Sequence, residues 1–179
     1  MTENKTAGLK LHNENLNKII CESLQQALLF LMNKQTFSSI TITALCKKAG
    51  VSRVAFYNNY NSKEDLLEKI VLEHIKQLIE KIGSPFREYT NADWYSKMLE
   101  SVKEDVYYLK SIFNAGFKHE YLAIINKIVL HNPDIPTSKK YLRVAWVGGV
   151  SNIIIHWLEN GMQEPISEIA EFCYKNLSV

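Results

Sequence analysis

The strongest constraint on this chain is the spacing of its apolar residues, which recur every third or fourth position almost from end to end. Across residues 13–32 they are Leu16, Ile19, Ile20, Leu24, Ala27, Leu28 and Leu31, and across 62–82 they are Leu66, Leu67, Ile70, Val71, Ile75, Leu78 and Ile82. That period lays one apolar stripe along a helix and does not match the alternation of a half-buried strand. Trp94, Met98, Val102, Val106, Leu109, Ile112 and Phe113 predict another amphipathic helix. Further helices are expected over Glu120–Leu130, Ser138–Asn160 and Ile166–Leu177. With no strand pattern, repeat or low-complexity segment, the expected fold class is all-α.

Punctuation divides the helices. Gly83-Ser84-Pro85 is a stop, so residues 1–82 and 83–179 are expected as two domains, with a connecting helix over 63–82. Ser62 opens that helix, with Asp65 three residues on as a capping box. A chain of 179 residues, 46% hydrophobic and 22% charged, can bury a core without disulfides or metals. Cys21, Cys46 and Cys173 are scattered and odd in number, against a disulfide framework or zinc site and in keeping with a reducing compartment. The first twenty residues lack the apolar stretch of a signal peptide, and no later run approaches a membrane span. A cytoplasmic protein with no membrane partner is expected.

Residues 41–60 hold two very short helices. Thr41 caps one through Ile42, Leu45, Cys46 and Ala49, which Gly50 stops, and Ser52 caps the next from Arg53 to about Tyr60. Helices of about eight residues are marginal alone, so packing must hold them. Phe56 and Tyr60 fall on one side as anchors against the 13–32 and 42–49 helices. Arg53, Val54, Tyr57 and Asn58 spread over the other, flanked by Ala55 and Asn59. The overall net charge of +2 is uninformative, but from Ser23 to Lys63 there are five basic residues and no Asp or Glu. A carboxylate-free surface bearing a guanidinium, a phenol and two amides carries the donors that meet phosphates and base edges. This is helix-turn-helix logic, the second helix entering a major groove.

The segment ITITALCKKAGVSRVAFYNNYNSKEDLLEKI resembles the DNA-binding segment of the TetR family of bacterial transcription regulators. Thr41, Ala49, Gly50, Val51, Ser52, Phe56, Tyr57, Tyr60, Lys63 and Leu66 match the family's pattern. The resemblance implies phosphate contacts from Thr41, Thr43, Ser52, Tyr57 and Lys63, and base contacts from Arg53, Val54 and Asn58, with Asn59 as either. Thr41 and Ser52 also cap their helices with or without DNA. Position 54 is often small in the family but is Val here, and position 59 is often His or Tyr but is Asn. The operator therefore cannot be borrowed from a relative.

The resemblance also implies a homodimer on a palindromic double-stranded operator, and a carboxy-terminal half that dimerises and encloses a small-molecule effector. WVGGVSNIIIHWLENGMQEPISEIAEF is loosely similar to members related to the dihydroxyacetone kinase activator. Gly148-Gly149 in mid-helix costs about 1 kcal/mol per glycine, which points to close approach by another helix. Val147, Val150, Ile154, Leu158 and Ile169 are the expected dimer residues. Trp94, Tyr108, Phe113, Phe117, Tyr121 and Trp146 are the expected lining of a pocket for a planar or apolar effector, although aromatic stripes equally build cores. No nucleophile–base pair, converging carboxylates, phosphate loop or metal-spaced ligand set is legible, so neither catalysis nor a cofactor is expected. The reading is a regulator, a repressor released by its effector. The alternatives are an activator or co-activator of the same family, or an all-α ligand carrier or enzyme.

Overall fold

A computed structural model describes residues 2–86, 91–131 and 134–177, with side chains from residue 12 onward. All regular structure among these residues is helical. In order these are α1 (Thr2–Met32), α2 (Ile42–Ala49), α3 (Arg53–Tyr57), α4 (Lys63–Ile82), α5 (Ala92–Glu104), α6 (Val106–Asn114), α7 (Lys118–Val129), α8 (Thr137–Glu159) and α9 (Ile166–Leu177). A single 3-10 turn, Phe37–Ser39, links α1 to α2. No helix among the described residues is long and apolar enough to cross a membrane. The chain divides into two compact units, residues 1–70 and 71–179, the division falling inside α4.

In the first unit α1 packs on α2 and α2 on α3. Leu24, Leu28, Leu45, Phe56, Leu66 and Leu67 are all fully buried there. Each such side chain contributes roughly 1.5–3 kcal/mol relative to exposure. The apolar stripes of α1 and of the first turns of α4 thus supply the core that the two short helices lack.

In the second unit α5 packs on α9 and α7 on α8. Tyr95 lies fully buried at its centre, donating to the Leu177 carbonyl (3.1 Å) and accepting from Trp146 Nε1 (2.8 Å). The stripe from Trp94 to Phe113, expected as one helix, is two. At Asp105 the backbone turns to φ −96°, ψ 19°, ending α5, and α6 restarts one residue later. Asp tolerates that region of backbone space, and its carbonyl still accepts from Leu109 N. The last helices match their expected spans closely, whereas the helix expected over 13–32 begins at Thr2.

Candidate nucleic-acid interface and cavity

The two short helices of the first unit are defined by their ends. Thr41 Oγ1 accepts the Ala44 amide (3.1 Å), satisfying a donor that the helix cannot. At the other end of α2, Gly50 adopts φ 69°, a left-handed conformation that glycine takes without a Cβ penalty. The Val51 amide then reaches back to the Cys46 carbonyl (3.0 Å), closing a Schellman turn. Ser52 Oγ accepts from the Ala55 amide (3.0 Å) and starts α3 immediately. Three local caps therefore set the turn.

The helix expected over 53–60 stops at Tyr57, and the turn after it is held by side chains. Asn59 donates its amide to the Ala55 carbonyl (2.9 Å), and its Oδ1 accepts from Cys21 Sγ (3.4 Å). Its backbone carbonyl accepts from Lys69 (3.0 Å). Asparagine competes with the helical ladder in this way, which accounts for the shortening. Fully buried Phe56 and nearly buried Tyr60 face inward, ring centroids 5.8 Å apart, and burial raises the Tyr60 phenol's pKa. Ser52, Arg53, Val54, Tyr57 and Asn58 are exposed, Val54 to 70%. Thr41, Thr43, Lys47 and Lys48 are exposed beside them on α2 and its cap.

Lys63 is placed differently from its neighbours on this surface. Its ammonium donates to the carbonyls of Phe37 (2.8 Å), Ser38 (3.1 Å) and Ile40 (2.8 Å). A lysine has three N–H donors, so all are engaged within the fold. The nitrogen also sits 4.7 Å above the Phe37 ring. The capping box expected at Ser62 is half formed. The Asp65 amide donates to Ser62 Oγ, but the Asp65 carboxylate accepts from the Asn61 amide (2.8 Å) rather than from Ser62. That bond, with help from Lys69, holds the carboxyl below the ordinary range.

The second unit contains a cavity of about 380 Å³ between faces of α4, α5, α6, α7 and α8. Of the six aromatic residues expected to line it, Trp94, Phe113, Tyr121 and Trp146 do so. Tyr108 and Phe117 are not among the lining residues. Tyr108 stacks on His74 instead, centroids 4.2 Å apart, and Phe117 starts α7. Burial lowers the His74 pKa, partly offset by Asp105, whose carboxylate lies 4.0 Å from Nδ1.

The expected dimer residues lie mostly inside the protomer. Val147, Val150 and Leu158 are buried within the protomer at 5% exposure or less, and Val147, Val150 and Ile154 line the cavity. Ile169 is only partly covered. The close approach at the glycine pair is real for one of them: a Cβ on Gly149 would lie 3.2 Å from Leu177 Cδ2 of the same chain. A Cβ on Gly148 would meet nothing within 4 Å.

Comparison with known proteins agrees with this geometry. Residues 26–70 match the family described as bacterial regulatory proteins, tetR family, and residues 89–178 match a transcriptional regulator C-terminal region. The chain belongs to the TetR family of bacterial regulators. Within Bacillus subtilis (strain 168) it is similar to the uncharacterized HTH-type transcriptional regulator YvkB, 25% identical over 134 residues. That alignment covers 73% of this chain and 65% of the relative. The uncharacterized HTH-type regulator YxbF of the same organism is 34% identical over 62 residues, 34% of this chain and 16% of that protein. Among solved structures, a TetR transcriptional regulator from Streptococcus agalactiae 2603V shares the fold. Its TM-score is 0.65 at 15% identity, over 95% of this chain and 99% of the other.

For a TetR-family chain, the residues that sequence reasoning missed lie mostly in the cavity. Ser101, Phe86 and Arg143 line it alongside the aromatics. Arg143 carried a readable signal: with Trp146, Val147, Val150 and Ile154 it shares a three-and-four stripe, so a charge sits on an apolar face. The surface apolar residues Tyr141, Leu142 and Val144 of α8 and Phe172 of α9 were also passed over, with exposures between 36% and 71%.

Proposed function

We propose that this TetR-family regulator binds a palindromic operator as a homodimer and represses transcription until a small-molecule effector releases it. The observation that carries the reading is the exposed face of α3, where Arg53, Val54, Tyr57 and Asn58 lie within a run, residues 23 to 63, that contains no Asp or Glu. In this reading Arg53 and Asn58 hydrogen-bond base edges and Val54 meets a thymine methyl. Thr41, Thr43, Ser52 and Tyr57 contact phosphates and fix the register. Asn59 holds the end of α3 from within, and Lys63 ties the start of α4 to the 37–40 segment. The partner copy seats on the exposed faces of α8 and α9 around Tyr141, Gly148 and Phe172, and the effector occupies the cavity of the second unit.

Titration onto the DNA flanking its own gene, at several salt concentrations, tests the reading. A short palindrome should be preferred, with log affinity falling steeply against log salt as counterions are released. Binding without sequence preference and with a flat salt response would overturn it.

A further inference from the structure

The cavity is apolar along most of its length, yet its lining includes one side chain of fixed charge among the described residues, Arg143. We infer that it takes an amphipathic monocarboxylate, the carboxylate on the Arg143 guanidinium and the apolar body between α4, α5, α6, α7 and α8. The inference rests on reading this cavity as the effector site.

Three observations support it. Arg143 spends one N–H on the Val129 carbonyl (3.1 Å) and lies 4.7 Å from the Phe86 ring, and no described carboxylate forms an ion pair with it. Among the described residues no Asp or Glu lines the cavity, and His74 and His131 add no negative charge. A guanidinium facing apolar walls, with no counter-ion among the described residues, favours an occupant that brings one, and its planar fork suits a carboxylate in two-point contact. The Ser101 hydroxyl is a second unmet polar group. It is 4% exposed, lines the cavity, and has no hydrogen-bond partner. Such a group in a native interior implies an occupant that is not itself hydrocarbon throughout. Finally, Phe86 and Trp94 pack on Trp146 (centroids 5.1 and 5.9 Å), and Tyr95 pins the Trp146 indole. A rigid aromatic wall therefore stands at the charged end, within a volume suited to a small ligand.

The test uses the full chain, with intrinsic tryptophan fluorescence read at pH 7.5. Decanoate, its neutral isostere decanamide and the cation decylamine are the probes. Decanoate should bind at least tenfold more tightly than decanamide, and decylamine not at all. Arg143→Met should erase the preference of acid over amide, with decanoate losing far more affinity than decanamide. Should that variant melt early, Arg143→Lys keeps the charge and should retain part of the preference. Equal binding of acid and amide by the native protein would overturn the anion inference and leave the effector cavity standing. If no probe binds while operator binding is intact, the cavity reading fails and the inference with it.

Discussion

Replacing Lys63 with Met keeps the aliphatic stem and removes only the ammonium. Its three acceptors, the carbonyls of Phe37, Ser38 and Ile40, lose their charged donor. A hydrogen bond to a charged group contributes about 1.5–3 kcal/mol net. The three share one cation, however, and Ser38 is exposed, so water can replace part of the loss. About 2–4 kcal/mol of destabilisation is expected. Urea unfolding followed by circular dichroism should show a lower midpoint with unchanged slope. Operator binding, measured where the variant is still folded, should keep the wild-type dependence of log affinity on log salt. A lysine contacting a phosphate would behave in the opposite way. Its loss would flatten that dependence by about 0.9 per contact and leave the midpoint in place. A flattened salt dependence with an unmoved urea midpoint would refute the internal-anchor argument and restore Lys63 to the interface.

Other substitutions separate the remaining roles. Arg53→Ala should relax preference at one operator position and cost about 1–3 kcal/mol, read by binding to a panel of single-base operator variants. His74 is held neutral by burial, so the unfolded chain binds its proton first as pH falls. Stability from this residue is therefore present above about pH 6.5 and lost progressively below it. Urea midpoints from pH 7.5 to pH 5 should fall less steeply for His74→Gln than for the native protein. Gly148→Leu should leave the folded protomer intact, since a Cβ there meets nothing within 4 Å, while weakening self-association in sedimentation experiments. An unchanged association constant would remove Gly148 from the proposed interface.

The features legible in the sequence were those set by near neighbours. Thr41, Gly50 and Ser52 act on amides within five residues, so spacing alone located the turn between α2 and α3. The internal acceptors of Lys63 were not legible because they lie 23 to 26 residues away. The two adjacent glycines look alike as letters, and only Leu177, 28 positions on, distinguishes Gly149 from Gly148. On α8 the difficulty was different. Apolar residues run nearly all round it, so periodicity could not tell which face the protomer keeps for its own core. Val147 and Leu158 proved to be on that inner face. The break at Asp105 was hidden because the residues on either side of it continue one apolar stripe.

A recognition helix of five residues closes hardly more than one turn of its own hydrogen bonds. Such a segment has no local free-energy minimum to rest in once Phe56 is released. Its amides should therefore exchange with solvent through the same opening that exposes α2 and the inner face of α1, and with the same free energy. Recognition and folding of the first unit become one cooperative event. A destabilising change at Leu24 or Leu45, far from any base, would then register in a cell as a weakened operator before it registered as an unfolded protein.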